Sequence, residues 1–220
     1  MAYPKVLGLD VGTRVVKLVE VQKTRKELQL GYVGCCPLPD GTITEKQIQR
    51  PDELAKAVMS LYRNSKSQTT KVSLSVAGKS VITKQISLNA MSDQELEKII
   101  ASEAEPYIPF PMEDVSLDFV ILGGSPDKPG FMEVLLVAAK KDFVDSYIDV
   151  VASLNLTPVV VDVDCYALEV MFDHCYPDVE DETVALINVG ASLTNVNIMT
   201  SGKSCFVRDL PLGGDLVTQD

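Results

Sequence analysis

The stretch VLGLDVGTRVVKLVEV (Val6–Val21) decides the reading, because VALINVGASLTNVNIM (Val184–Met199) repeats its grammar. Each copy runs an apolar strand into a polar residue (Asp10, Asn188), one valine, a glycine (Gly12, Gly190) and a small residue (Thr13, Ala191). A second apolar strand follows in both. The 178 positions from Asp10 to Asn188 are far too many for a solenoid repeat. Two copies of one β-hairpin, each opening an α/β segment, predict a duplicated domain with a cleft between its halves and the two turns facing each other across it.

Outward from these hairpins the chain reads as alternating sheet and helix. Val6–Asp10, Val15–Gln22 and Leu28–Val33 are strand-like, and Pro37, Pro39 and Asp40-Gly41 end the meander. A helix is predicted from Pro51-Asp52, with Leu54, Ala57, Val58 and Leu61 at helical spacing, followed by a strand at Val72–Val76. Val81–Leu88 reads as strand, and Ser92 with Glu95 has capping-box spacing for a helix through about Ala104. EPYIPFPMEDV places three prolines between Pro106 and Pro111, which excludes regular helix or central strand. With strands at Ser116–Leu122 and Met132–Ala138, residues 81–139 read as an inserted α+β subdomain. Asp142–Leu154 is an amphipathic helix, Val159–Val163 a fully buried strand and Tyr166–Cys175 another helix. Acidic DVEDE (Asp178–Glu182) is the expected domain boundary before the second hairpin, and Cys205–Leu210 the strand after it.

The hairpin turns suit a phosphate chain. Gly12 has no Cβ, so backbone N–H groups can approach anionic oxygens, and Thr13 offers a hydroxyl. Asp10 can hold magnesium through water, and Lys17 or Arg14 can offset phosphate charge. The matching residues of the second turn run from Asn188 to Thr194. A P-loop is excluded: Gly78-Lys79-Ser80 resembles its end, but Ser73 stands where the first glycine belongs. His174, the single histidine, excludes a multi-histidine metal site and is expected at a helix end.

Composition bounds the rest. The 220 residues carry 20 basic and 31 acidic side chains, a formal charge of −11, which argues against sequence-independent nucleic-acid binding and weakly against direct docking on an anionic membrane. Five scattered cysteines without CxxC spacing point to a reducing compartment, with Cys35-Cys36 expected in or beside the sheet. No apolar run reaches the roughly 18–20 residues of a membrane span, and the N-terminus is no signal peptide.

GLDVGTRVVKLVEV, ELEKIIASEAEPYIPFPMEDVSLDFVILG, FMEVLLVAAKKDFVDSYIDVV, VALINVGASLTNVNIM and CFVRDLPLGGDLVTQ, in that order, resemble the PilM family of type IV pilus assembly proteins, which is similar to the cell-division protein FtsA. The hairpins alone would indicate only the actin-like superfamily; EAEPYIPFPMEDVSLDF narrows the resemblance. It implies an α/β, actin-like (ribonuclease H-like) ATPase lobe at 1–80 and 140–181, the inserted subdomain at 81–139, and the truncated start of a second lobe at 182–220. Asp10, Gly12, Thr13 and Lys17 would form the first phosphate loop, and Gly190, Ala191, Ser192 and Thr194 the second. Asp164 would be the acidic, catalytic-type residue of the inter-lobe connection, and Gly213-Gly214 a glycine pair that approaches the nucleotide. Asn188, where relatives commonly have Asp, weakens the case for metal-assisted hydrolysis. The chain ends at Asp220, early in the helix after Gly214, so the resemblance implies that the adenosine-binding part of the second lobe lies outside it.

The function so implied is a cytoplasmic scaffold that binds ATP and Mg2+ with weak or no turnover. It would capture the N-terminal cytoplasmic tail of PilN and so lie at the inner membrane through that partner. The resemblance leaves room for pilus motor ATPases and a homo-oligomer among its contacts; an FtsA-like filament and an active ATPase or kinase are the alternatives. Tyr107, Ile108 and Phe110, three large apolar residues on the proline-stiffened loop, either shape the PilN-binding region or seal the insert's own core.

Overall fold

The computed structural model describes residues 5–25, 27–179 and 182–218. In chain order, β1 (Lys5–Val11), β2 (Val15–Lys23) and β3 (Leu28–Pro37) precede a short ribbon of β4 (Ile43–Thr44) and β5 (Gln47–Ile48), then α1 (Pro51–Ser65) and β6 (Lys71–Val76). Next come β7 (Val81–Asn89), α2 (Asp93–Ala104), β8 (Val115–Gly124), β9 (Phe131–Lys140) and α3 (Lys141–Ser153). The chain continues through β10 (Thr157–Val163), α4 (Asp164–Cys175), β11 (Thr183–Val189), β12 (Thr194–Thr200), β13 (Lys203–Leu210) and α5 (Gly214–Thr218). Two compact units result, one of Met1–Gly78 with Ser146–Asp220, the other of Lys79–Asp145. The acidic segment Asp178–Glu182 falls within the first unit, and its Glu180 and Asp181 lie outside the described residues.

In the first unit a five-stranded sheet has the order β10-β6-β1-β2-β3. The hairpin and meander partners β1, β2 and β3 are antiparallel, while β1, β6 and β10 are parallel, as crossover connections require. Helix α1 forms because Pro51 suits its first turn and Leu54, Ala57, Val58 and Leu61 make one apolar stripe. That stripe is buried on β2 and β3, and each leucine so covered contributes about 2 kcal/mol. Leu7, Leu9, Val16, Leu18, Val72 and Leu74 complete this core. A second sheet, β11-β12-β13, is antiparallel throughout.

Three readings of this unit need correction. Val159 and Val160 are exposed, so Val159–Val163 is not a fully buried strand: β10 is the sheet's edge, and its register slips just after Pro158, which has no N–H for the ladder. β3 runs on through Cys35 and Cys36 to Pro37, four residues past the expected end, with Cys35 exposed. α4 begins at Asp164 rather than Tyr166, and His174 lies in its last turn, as expected.

The second unit is a three-stranded antiparallel sheet of order β7-β9-β8, covered on one face by α2. Met132, Val134, Leu136 and Ala138 alternate along β9 onto that face, where Leu96, Ile100 and Ala104 of α2 meet them. The capping box is formed on both sides: Ser92 accepts from the Glu95 amide, and Glu95 accepts from the Ser92 amide at 2.9 Å. The proline-stiffened loop folds as two single 3₁₀ turns, Glu105–Tyr107 and Met112–Asp114, the tight geometry that closely spaced prolines leave open.

Candidate functional site

The two hairpin corners are built alike. Gly12 N–H donates to the Val15 carbonyl at 3.1 Å, and Gly190 N–H donates to the Leu193 carbonyl at 2.9 Å. A Cβ at Gly12 would stand 2.8 Å from the Val15 oxygen, and one at Gly190 would stand 2.8 Å from the Leu193 oxygen. The glycines are therefore required by the turns themselves, and the amide of each is engaged by its own corner. Below the corners, Asp10 faces Lys17 across the β1–β2 pair, and Asn188 faces Asn195 across β11–β12.

The fold brings these corners together. Thr13 Oγ1 and Ser192 Oγ share a hydrogen bond of 2.6 Å. An open cavity of about 230 Å³ is lined by Asp10, Gly12, Thr13, Arg14 and Lys17 from the first corner and by Asn188, Gly190, Ala191 and Ser192 from the second. Asp164, at the start of α4, lines it as well. Thr194, Gly213 and Gly214 do not. Thr194 is buried, and its hydroxyl donates to the Leu212 carbonyl at 2.8 Å. Gly213 and Gly214 pack beneath the second corner, where Gly214 N–H donates to the Gly190 carbonyl at 2.8 Å and Asp215 N–H to the Ala191 carbonyl at 2.9 Å.

Most charges in the cavity are paired. Lys17 Nζ donates to Asp10 Oδ2 at 2.8 Å, with both side chains about half exposed. Arg14 bridges Asp215 (Nε to Oδ2, 3.0 Å) and Asp40, and these carboxylates, Asp215 first, hold its guanidinium further up than usual. Asn188 Nδ2 donates to Asn195 Oδ1 at 3.2 Å, and Asn195 Nδ2 donates to Asp209 Oδ1 at 2.6 Å. Cys165, beside Asp164 in the first turn of α4, is no nucleophile at neutral pH: burial, then Asp209 and Asp164, push its thiol up to about 12.

Sequence reasoning missed Lys46. It lines the cavity and donates to Asp164 Oδ2 at 2.8 Å. A tight turn without glycine after Thr44 gave no signal for it. Asn195 and Asp209 were also missed, being polar residues inside strands that read simply as apolar runs.

On the second unit, Ile108 is buried in the core. Tyr107 is exposed, with Lys84 Nζ 5.9 Å from its ring centroid. Phe110 packs partly against the core, with Lys140 Nζ 4.6 Å over its ring. Among the described residues no helix is long and apolar enough to cross a membrane, and no group of three or more His, Cys, Asp or Glu side chains is placed to hold a metal ion.

Comparison with known proteins gives this geometry its context. The family described as type IV pilus assembly protein PilM matches residues 8–220. A solved PilM–PilN type IV pilus biogenesis complex is 29% identical, with a TM-score of 0.84 over 97% of this chain and 63% of that one. The chain thus spans about 63% of that relative's length. The cytoplasmic domain of EpsL, an inner membrane component of the Vibrio cholerae type II secretion system, shares the fold at 12% identity and a TM-score of 0.59, over 94% of this chain and 71% of its own. A Bacteroides thetaiotaomicron protein with an actin-like ATPase fold does so at 10% identity and 0.50, over 99% and 74%. The fold is mixed α/β and actin-like, matching part of longer chains.

Proposed function

The chain belongs to the PilM family of type IV pilus assembly proteins, and from that premise we propose that it is a nucleotide-binding scaffold of the pilus assembly platform. It would hold the phosphates of ATP between its two corners and dock the N-terminal cytoplasmic segment of PilN, which places it at the inner membrane through that partner. The observation that carries the nucleotide reading is the convergence of Thr13 and Ser192, 179 residues apart, over one charged cavity. The donor set fits a magnesium–polyphosphate: two cations (Arg14, Lys17), two hydroxyls (Thr13, Ser192) and the Asp10 carboxylate line one space. Lys17, Arg14, Thr13 and Ser192 would bind phosphate oxygens, and Asp10 would hold Mg2+ through its waters. The ion would supply charge neutralisation between phosphates. Asn188, a neutral amide hydrogen-bonded to Asn195, supports retention over turnover.

The partner reading rests on the 29% identity to the PilM of a solved PilM–PilN complex. We propose residues 81–139 as the inserted subdomain, with Tyr107 and Phe110 presenting apolar surface to the peptide and Ile108 supporting them from the core. Calorimetric titration with a PilN N-terminal peptide, with and without Mg-ATP, tests the whole reading. Expected are saturable peptide binding, reduced at least about tenfold by Phe110→Ala, and separate saturable binding of Mg-ATP. No heat with either ligand overturns the proposal.

A further inference from the structure

Lys46 stands where the backbone resists it. The β4–β5 hairpin has a two-residue turn, Glu45-Lys46, and both residues have positive φ (49° and 67°). Such turns favour Asn-Gly, because a residue with a Cβ is strained at positive φ. A conformation of this kind persists only where its surroundings over-determine it, and here they do. Ile43, beside the turn, is buried, and the buried Tyr147 donates its hydroxyl to the Lys46 carbonyl. The side chain then reaches Asp164 at 2.8 Å, with only 13% of the lysine and 9% of the aspartate exposed. The contrast with Lys17–Asp10 in the same cavity is sharp: that pair is 58% and 46% exposed. A glycine would satisfy the turn and lose the cation.

We propose that Lys46 is a positioning residue that latches Asp164, so that a nucleotide bound in the cavity is retained without hydrolysis. This deepens the nucleotide-binding reading and rests on it. Hydrolysis would require a water oxygen to bond the terminal phosphorus while the phosphorus–bridging-oxygen bond breaks and ADP leaves. The attacking water's proton would have to pass to a nearby base and then to solvent. Asp164 is the cavity carboxylate with no solvated alternative to its cation. Its Oδ2 already accepts from a near-buried ammonium at 2.8 Å, so that oxygen is engaged and not presented to an attacking water.

The test uses Lys46→Gly, which suits the turn, and Lys46→Asn, which also tolerates positive φ. Mg-ATP affinity and turnover are measured on each, beside Lys46→Arg and Asp164→Asn. The expected result is affinity within about threefold of the parent and turnover raised at least about tenfold in both neutral variants, the gain following deprotonation of a single carboxylate with pH. Adding Asp164→Asn should remove the gain, and Lys46→Arg should show none. Without nucleotide, Lys46→Asn and Asp164→Asn should each lower the melting temperature, and the double variant should lower it no further. Unchanged turnover with retained binding overturns the latch and leaves the nucleotide-binding reading standing. A tenfold loss of affinity without gain in turnover makes Lys46 a phosphate ligand and also overturns the latch. A parent protein that binds no Mg-ATP overturns the reading itself, and the latch with it.

Discussion

The two corners share a backbone and differ in charge. At the first, Asp10 and Lys17 face each other as an ion pair open to solvent. At the second, the same register positions hold Asn188 and Asn195, and their amides form a directed chain ending on Asp209, which also accepts from Gly78 N–H at 2.7 Å. The bracing differs too. Leu38 N–H supports the first corner at the Arg14 carbonyl (2.8 Å), whereas Gly214 and Asp215 support the second at the Gly190 and Ala191 carbonyls. One corner thus carries an ion pair open to solvent, and the other is held by an amide chain anchored on Asp209. Turn geometry was duplicated, and the electrostatics were not.

The largest effect should come from breaking the second corner's brace. A Cβ at Gly213 would lie 2.5 Å from both the Gly190 and the Ala191 carbonyl oxygens, backbone that cannot swing aside. Gly213→Ala is expected to cost about 3 kcal/mol or more in urea unfolding, at the upper end of overpacking penalties. Gly12→Ala and Gly190→Ala, each meeting one carbonyl oxygen at 2.8 Å, should cost about 1–3 kcal/mol and match each other within about 0.5 kcal/mol. A large inequality between those two would end the claim that the corners are equivalent.

How much of this was legible in the sequence follows from the same residues. The hairpins could be read because a glycine between two apolar runs is a local signal, and both corner glycines are required locally. The helices α1 and α2 could be read from Pro51 and from Ser92 with Glu95 for the same reason. The Lys46–Asp164 pair could not, since it joins residues 118 positions apart and its turn uses residues that such turns disfavour. Exposure of Val159 and Val160 was equally hidden: a run of valines states that a strand exists, not whether a neighbour lies beyond it. Gly213 was noticed as part of a glycine pair, but its close approach to Gly190 is a tertiary fact.

Exchanging the polar residues sharpens the comparison at smaller cost. Asn188→Asp replaces the donor that Asn195 Oδ1 receives by a second acceptor, and Asn195 cannot turn its amide without releasing Asp209. The expected loss is about 1–2 kcal/mol at neutral pH. The new carboxylate's folded-state pKa should be raised, so its protonated form fits best, and the penalty should grow as pH rises through that value and vanish in acid. Asp10→Asn removes a half-exposed ion pair and should change stability by less than about 1 kcal/mol. Urea titrations of both variants at pH 5 and pH 8 check this, and a pH-independent Asn188→Asp would show that the amide chain is not fixed.

The smallest effects extend the contrast into the two sheets. Glu20, on β2, pairs with Lys5 at 3.1 Å, and the Ser67 hydroxyl together with Lys5 holds its carboxyl below the ordinary 4.5 despite burial. Glu169, on α4, has the Asn197 amide at 3.0 Å, and burial, with Asp173 nearby, pushes its carboxyl above 4.5. A lowered folded-state pKa means stability that is present above the unfolded value and lost as pH falls through the folded one. A raised one means stability that is complete below the unfolded value and lost as pH rises through the folded one. Glu20→Gln should therefore destabilise at pH 7 by about 0.5–1 kcal/mol and progressively less in acid, while Glu169→Gln should stabilise at pH 7 by about 0.5 kcal/mol and be neutral below pH ~4. Opposite slopes in paired pH-dependent melting curves are the expected outcome. Parallel slopes would mean that charge at the first sheet and neutrality at the second are confined to the corners and do not reach the strands beneath them.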